Sequence, residues 1–550
     1  MSVVANFVCV ATALCTLGVY TVLLREIGSI SEYKNYSASQ VAVAIFYGIA
    51  ISAWAGVEAG VFYARRNPNY TVLPSPTGIS SVDEPGSSDL ENDQASLVKS
   101  ITPPVVEPIV CGISATHLPA LRALAEFSLI MGYVYVCDRT TLVPKGPKVL
   151  SKTMFWGLNG AVLLVGLFTI RSAGSASETV TKPLQRDQTE EWKGWMQLMF
   201  IFYHYFAETE IYNAIRIFIA AYVWMTGFGN FSYYYVKADF TLPRFMQMMW
   251  RLNFFVFFVC VTMNNEYMLY YIAAMHTFFT WGVFFCCWIG SKYNQDSLIC
   301  LAKIAATAGI AVVLYNVPGV FHVIFSPATA LLGFHDPLHP EFTDELHEWF
   351  FRSGLDHLVW VVGMLCAYSF PWYDRQLQKV EELPPARKLA ATIALIGAVL
   401  GIGGWYYLTY FSLPKLAYNK VHPFTSWIPL ICYLVLRNAT SSLRAHYMHL
   451  FTWCGKVTLE TYILQFHIWM KSTGINGSPK YLMVWVPGWF WVNMMLTSAV
   501  FFVLSYRVFK ITVVLRDACI PKDNKGIAMN ALVGSIGGAV LYGIGLILKP

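Results

Sequence analysis

Long apolar runs separated by short polar punctuation limit the fold of this chain more than any motif does. They extend from Val3–Leu24 through Val41–Phe62, Tyr267–Ile289 and Leu389–Phe411 to Met529–Leu548. Backbone that lies in hydrocarbon must satisfy its N–H and C=O groups internally, so such runs fold as helices or close into a barrel. Most are longer than the ~10 residues of a barrel strand and near the ~20 that a spanning helix needs. Charged residues make up only 13% of the 550 and mean hydropathy is +0.49. The chain therefore reads as an all-α polytopic membrane protein of about 13–15 hydrophobic helices. Runs such as Gly194–Phe206 and Trp427–Leu436 fall short of a full span and point to buried or re-entrant helices.

Two stretches interrupt the pattern. Residues Arg65–His117, with LPSPTGISSVDEPGSSDLENDQ at their centre, are too polar to bury a core and read as a disordered loop near 65–117. The shorter break, Arg171–Glu191, divides an N-terminal membrane region of about four helices (residues 1–184) from a longer one (residues 185–550) that is expected to hold the chemistry. The basic loops on either side of Met154–Ile170 both ask to be cytosolic, which a single span there does not permit. The net charge of +6 is scattered, with no Lys/Arg block among aromatics, so nucleic acid is not an expected partner; membrane lipid is. The cysteines lie mostly inside apolar runs without CxxC spacing, and no metal is expected.

Chemistry is expected where ionisable groups enter the apolar runs, because a charge at the bilayer centre costs at least about 2.5–3.5 kcal/mol. The stretch EEWKGWMQLMFIFYHYFAETE, Glu190 to Glu210, concentrates such groups. Lys193 and His204 are eleven positions apart, about 1100° of helical rotation, so they share one face roughly 16 Å apart. Glu190 lies one turn before Lys193 and Glu208 one turn after His204, with Glu191 beside them. His204 is either a core histidine bonded to a neighbouring helix or a catalytic imidazole. Arg216, inside IYNAIRIFIAAYVW, and Arg251, at the head of an aromatic helix, join Lys193 as groups suited to an anionic ligand, or else snorkel to the interface. In WFFRSGLDHLVW the i, i+4 spacing of Arg352 and Asp356 suits an ion pair, which could also orient a substrate. In GKVTLETYILQFHIWM, Glu460 and His467 stand seven residues apart on one helical face, a second candidate site or a buried polar pair.

The stretches RDQTEEWKGWMQLMFIFYHYF, IYNAIRIFIAAYVWMTGFGNFSYYYVKADF, FRSGLDHLVW and TLETYILQFHIWM, in this order, carry a resemblance. They resemble the ten-helix membrane O-acetyltransferase family of plant reduced wall acetylation proteins, fungal capsule O-acetylation proteins and animal sialate O-acetyltransferase. The resemblance runs from about Gln185 to the C-terminus, and LRALAEFSLIMGYVYVCDRTTL resembles the plant members. Lys193 and His204 also fit the wider acyltransferase pattern of Arg or Lys followed, after ten residues, by a catalytic His. His357 departs from it where Arg is expected.

The resemblance implies a multi-pass Golgi membrane protein that takes acetyl from acetyl-CoA, as co-substrate, toward cell-wall polysaccharide hydroxyls. Its expected partners are a polysaccharide acceptor or acetyl carrier and lumenal SGNH-type polysaccharide O-acetyltransferases, since no such domain is visible in the chain. Lys193, Arg216 and Arg251 would compensate the anionic donor, while His204 would act as general base or transient acetyl acceptor. A transporter of an acetyl donor, without chemistry of its own, is the alternative.

Overall fold

The computed structural model describes residues 2–65, 117–172 and 182–549; residues 66–116 of the polar tract expected to be disordered lie outside them. The chain folds as α1 (Ser2–Ser29), α2 (Ala38–Arg65), α3 (Leu118–Arg139), α4 (Lys152–Phe168), α5 (Arg186–Phe206), α6 (Tyr212–Lys237), α7 (Leu242–Met263), α8 (Tyr271–Trp288) and α9 (Ser297–Asn316). There follow α10 (His347–Gly354), α11 (Val359–Glu381), α12 (Pro385–Tyr406), α13 (Lys415–Thr425), α14 (Trp427–Arg437), α15 (His449–Lys456), α16 (Thr458–Leu464), α17 (Phe490–Cys519) and α18 (Asn524–Leu548), with a few shorter turns between. Among the described residues eleven helical segments are long and apolar enough to cross a membrane, and three shorter apolar ones accompany them.

α5 is not among the eleven. Its first half, RDQTEEWKGW, is too polar for a lipid-facing span, yet Glu191, Trp192, Gln197 and Ile201 are buried. The helix is enclosed by protein, which is how a polar stripe is tolerated at membrane depth. α4, with 17 residues, reaches only about 25 Å, short of a hydrocarbon core of ~30 Å.

The strands are short. β1 (Lys145–Pro147) and β4 (Met470–Ser472) flank β5 (Pro479–Met483) in an antiparallel sheet, with Lys145 opposite Met483 and Met470 opposite Leu482. β2 (Ile170–Ser172) pairs with β3 (His446–Met448), Ile170 opposite Met448. The β1–β5 and β2–β3 pairs join loops that are hundreds of residues apart in sequence. The two sides of residue 185 also share one contiguous apolar core, in which Phe127 and Val134 of α3 join Val256 of α7 and Phe501 of α17. Cys9 is disulfide-bonded.

Helices in lipid gain no hydrophobic drive from meeting each other, so close approach through small residues carries the packing. Two reciprocal glycine contacts do this here. A Cβ on Gly194 of α5 would lie 1.8 Å from the Phe451 carbonyl oxygen of α15, and one on Gly455 would lie 2.0 Å from the Glu190 carbonyl oxygen. Gly227 of α6 and Gly363 of α11 meet Trp360 and Trp224 in the same way, at 1.9 and 2.3 Å. Backbone cannot yield as a side-chain tip can. Gly194→Ala should therefore part α5 from α15 and lower thermal stability in detergent by more than the ~1–3 kcal/mol of ordinary overpacking. Gly401→Ala, where a Cβ meets nothing within 4 Å, serves as control and should be neutral or slightly stabilising. Equal melting temperatures for the two variants would refute the close-packed α5–α15 contact.

Candidate active site

α5 and α15 pack side by side, and α16 continues from α15 after a break at Val457. Between them and α6, α7 and α8 lies a cavity of about 420 Å³. Among the described residues its lining combines four cations, Arg186, Lys193, Arg251 and Lys456, with one carboxylate, Glu190. Glu190 Oε1 accepts from Lys193 Nζ at 2.7 Å. Behind the wall, the fully buried Glu460 takes both arms of Arg251, with Nη2–Oε2 at 3.0 Å. The Arg251 guanidinium also lies 5.1 Å from the centre of the Phe509 ring.

Lys193 and Gln197 line the cavity one turn apart, and Phe200 lines it one turn further on. The unbroken α5 thus presents the face expected from its sequence, with His204 at the end of the row. Gln197 is fixed by donation to Thr461 Oγ1 at 3.0 Å, and Tyr222 of α6 donates to the Lys193 carbonyl. His204 itself does not line this cavity. The ring of Phe200 stands against it edge to face, with centroids 4.7 Å apart, and the backbone carbonyl of His204 accepts from Lys148 Nζ at 2.6 Å. Among the described residues no side chain hydrogen-bonds to the imidazole, so the neighbouring-helix bond required of a core histidine is missing. Glu208 does not orient it either. α5 ends at Ala207 in the left-handed region, φ 49°, and Glu208 caps the following turn through the Glu210 N–H.

Other expected groupings are redrawn. Arg216 is not on the cavity: it is buried on another face of α6 and pairs with Asp356 at 3.3 Å. Asp356 therefore does not pair with Arg352, because α10 ends at Gly354 and the turn before α11 breaks the i, i+4 geometry. Arg352 instead meets Glu348 at 2.8 Å and the face of Tyr271. Glu191 points away from the cavity, held by Arg437 at 3.1 Å and by the Met448 N–H.

Glu460 and His467 do not converge. α16 gives way at Gln465–Trp469 to a π-helical turn, which advances fewer degrees per residue and shifts the phase that a continuous α-helix would keep. His467 is instead clasped between Asp138, at 2.9 Å from Nδ1, and the Tyr270 hydroxyl, at 2.6 Å from Nε2. Asp138 also accepts from the Ser472 N–H and hydroxyl, and Arg139 donates to Ser472 and Asn265. This network joins α3, the connection between α7 and α8, the π-helical turn and β4, away from the cavity.

Sequence reasoning missed His276. It lies in the first half of α8, in YIAAMHTFFTW, lines the cavity, and its Nδ1 is 2.6 Å from Thr226 Oγ1 of α6. An ionisable group alone inside an apolar run was the available signal. Its polar partner lies fifty residues earlier, so no pattern on its own helix exposed it. Asp138, Lys456 and His422 were passed over for the same reason, and no group of potential metal ligands occurs among the described residues.

Comparison with known proteins adds three findings. The family model of the 10 TM acyl transferase domain found in Cas1p matches residues 31–532. The N-acetylneuraminate (7)9-O-acetyltransferase of Danio rerio is 30% identical over 435 residues, covering 76% of this chain and 52% of that protein, so the chain spans about half the length of this relative. No solved structure matches.

Proposed function

The chain belongs to the family of the 10 TM acyl transferase domain, and on that premise we propose that it is a Golgi membrane O-acetyltransferase using acetyl-CoA to acetylate polysaccharide hydroxyls. The observation that carries this reading is the cavity: four cations line a space of about 420 Å³ that also holds polar side chains and an imidazole. Such a lining suits an anionic, phosphate-bearing donor whose acyl arm enters an apolar interior. The zebrafish relative acts, by its name, on a sugar hydroxyl, and a glycan acceptor here is the corresponding expectation. Lumenal SGNH-type transferases are its proposed partners, taking acetyl onward to cell-wall glycan.

Lys193 and Arg251 hold the donor in this reading. His204, at the end of the Lys193 row, is the imidazole that the acyltransferase spacing designates for the transfer; movement of Phe200 opens it to the cavity. Lys193→Ala should raise the apparent KM for acetyl-CoA by roughly 10–100-fold, the worth of one charge-assisted hydrogen bond. The loss has a second source, since Glu190 would be left unpaired facing an anion. Lys193→Arg should recover part of it. Unchanged donor kinetics in Lys193→Ala would remove Lys193 from the donor site.

The transporter reading draws support from the broken α15–α16 helix and its π-helical end. Purified protein that consumes acetyl-CoA without a second protein decides for the enzyme.

A further inference from the structure

On the donor reading above, we propose that His276 is a further catalytic residue, the general base that faces the reacting acetyl group in the cavity. Its side chain is half-buried inside a membrane helix and lines the cavity. The Thr226 hydroxyl lies 2.6 Å from His276 Nδ1 and 3.3 Å from the Tyr222 carbonyl oxygen, which can take its proton. In the proposed tautomer the hydroxyl proton goes to Tyr222, Nδ1 carries the ring proton, and Nε2 keeps a free lone pair. No described residue hydrogen-bonds to Nε2, and it is not among the atoms sealed from the cavity. A contact serving only to join α6 to α8 would not need a second nitrogen left open on the cavity wall. The charged groups acting on the ring are Lys193 of α5 and Asp356 before α11. His204, in contrast, stands on the other side of the Phe200 ring.

The step balances without any further reactant. The acceptor hydroxyl oxygen bonds to the acetyl carbon as its proton passes to Nε2. The carbon–sulfur bond then breaks, and the leaving thiolate takes that proton, restoring neutral imidazole. Nδ1–H stays with Thr226 throughout and keeps Nε2 aimed at the cavity.

The test uses purified full-length protein, with CoA binding and acetyl-CoA turnover in the presence of a glycan acceptor measured side by side. His276→Asn is the informative variant, because its amide N–H can replace the bond to Thr226 while offering no base. CoA binding should stay within about twofold of wild type, turnover should fall roughly 10²–10⁴-fold, and the acid limb of the kcat/KM profile should vanish. A positioning role would be rescued by Asn, so turnover within about threefold of wild type, or a retained acid limb, overturns the proposal and leaves the donor reading standing. If His276→Asn does not fold, His276→Gln is judged by the same criteria. Loss of CoA binding in a folded variant also overturns the proposal, placing His276 in binding. Wild-type protein that does not bind CoA defeats the donor reading and the proposal together.

Discussion

His204→Gln should abolish acetyl transfer, by at least the ~10²–10⁴-fold that acid–base catalysis contributes, while leaving expression, membrane insertion and CoA binding near wild type. The expectation rests on what surrounds the imidazole. Phe200 and Tyr203 approach it edge-on at 4.7 and 5.0 Å, and among the described residues no side chain hydrogen-bonds to it. A histidine that only packs would tolerate glutamine, which has similar volume and can donate and accept hydrogen bonds. A histidine that moves protons or carries acetyl would not, because the amide does neither at neutral pH. The measurement is glycan O-acetyl content in cells lacking the native protein, with CoA binding of the purified variant beside it. Substantial rescue by His204→Gln together with a dead His276→Asn would move the chemistry wholly to the cavity side of Phe200. Rescue by both would favour a transporter.

The sequence was most legible where one element stays regular. Lys193 and His204 keep their common face because α5 runs unbroken from Arg186 to Phe206. The same periodic argument fails at Glu460 and His467, since TLETYILQFHIWM contains no glycine or proline to mark the π-helical turn that dephases them. At Arg352 and Asp356 a cue was present: Gly354 lies between them, and α10 stops there. Arg216 was correctly read as an ionisable group inside the membrane region, but its partner sits 140 residues away. Spacing within a helix shows which residues share a face, and only the tertiary arrangement shows what that face meets. His276 illustrates the limit most sharply, since everything that distinguishes it from a packed core histidine belongs to other helices: the Thr226 hydroxyl on α6 and the cations on α5, α7 and α15.

Asp356→Ala should be strongly destabilising, by about 3–5 kcal/mol, the cost of stranding a buried charge. The Asp356 side chain is fully buried, and it meets Arg216 Nη2 at 3.3 Å through Oδ2 and His422 Nε2 at 3.4 Å through Oδ1. His422 continues to the Tyr418 hydroxyl at 3.1 Å, and Tyr418 to Tyr406 at 3.0 Å. Asp356 is thus the only carboxylate bonded to Arg216 among the described residues, and Arg216 Nε already lacks a hydrogen bond. Asp356→Asn separates the contributions: it preserves shape and some hydrogen bonding but not charge, so its loss should approach that of alanine if the uncompensated guanidinium dominates. The double change Arg216→Met/Asp356→Leu should recover most of the stability, because removing both charges also removes their desolvation cost. Thermal unfolding in detergent, read with CoA binding, measures all three. Because Arg216 is off the cavity, the double variant should still bind CoA with near-native affinity. Loss of CoA binding in a double variant of restored stability would instead place the Arg216–Asp356 pair in the donor site.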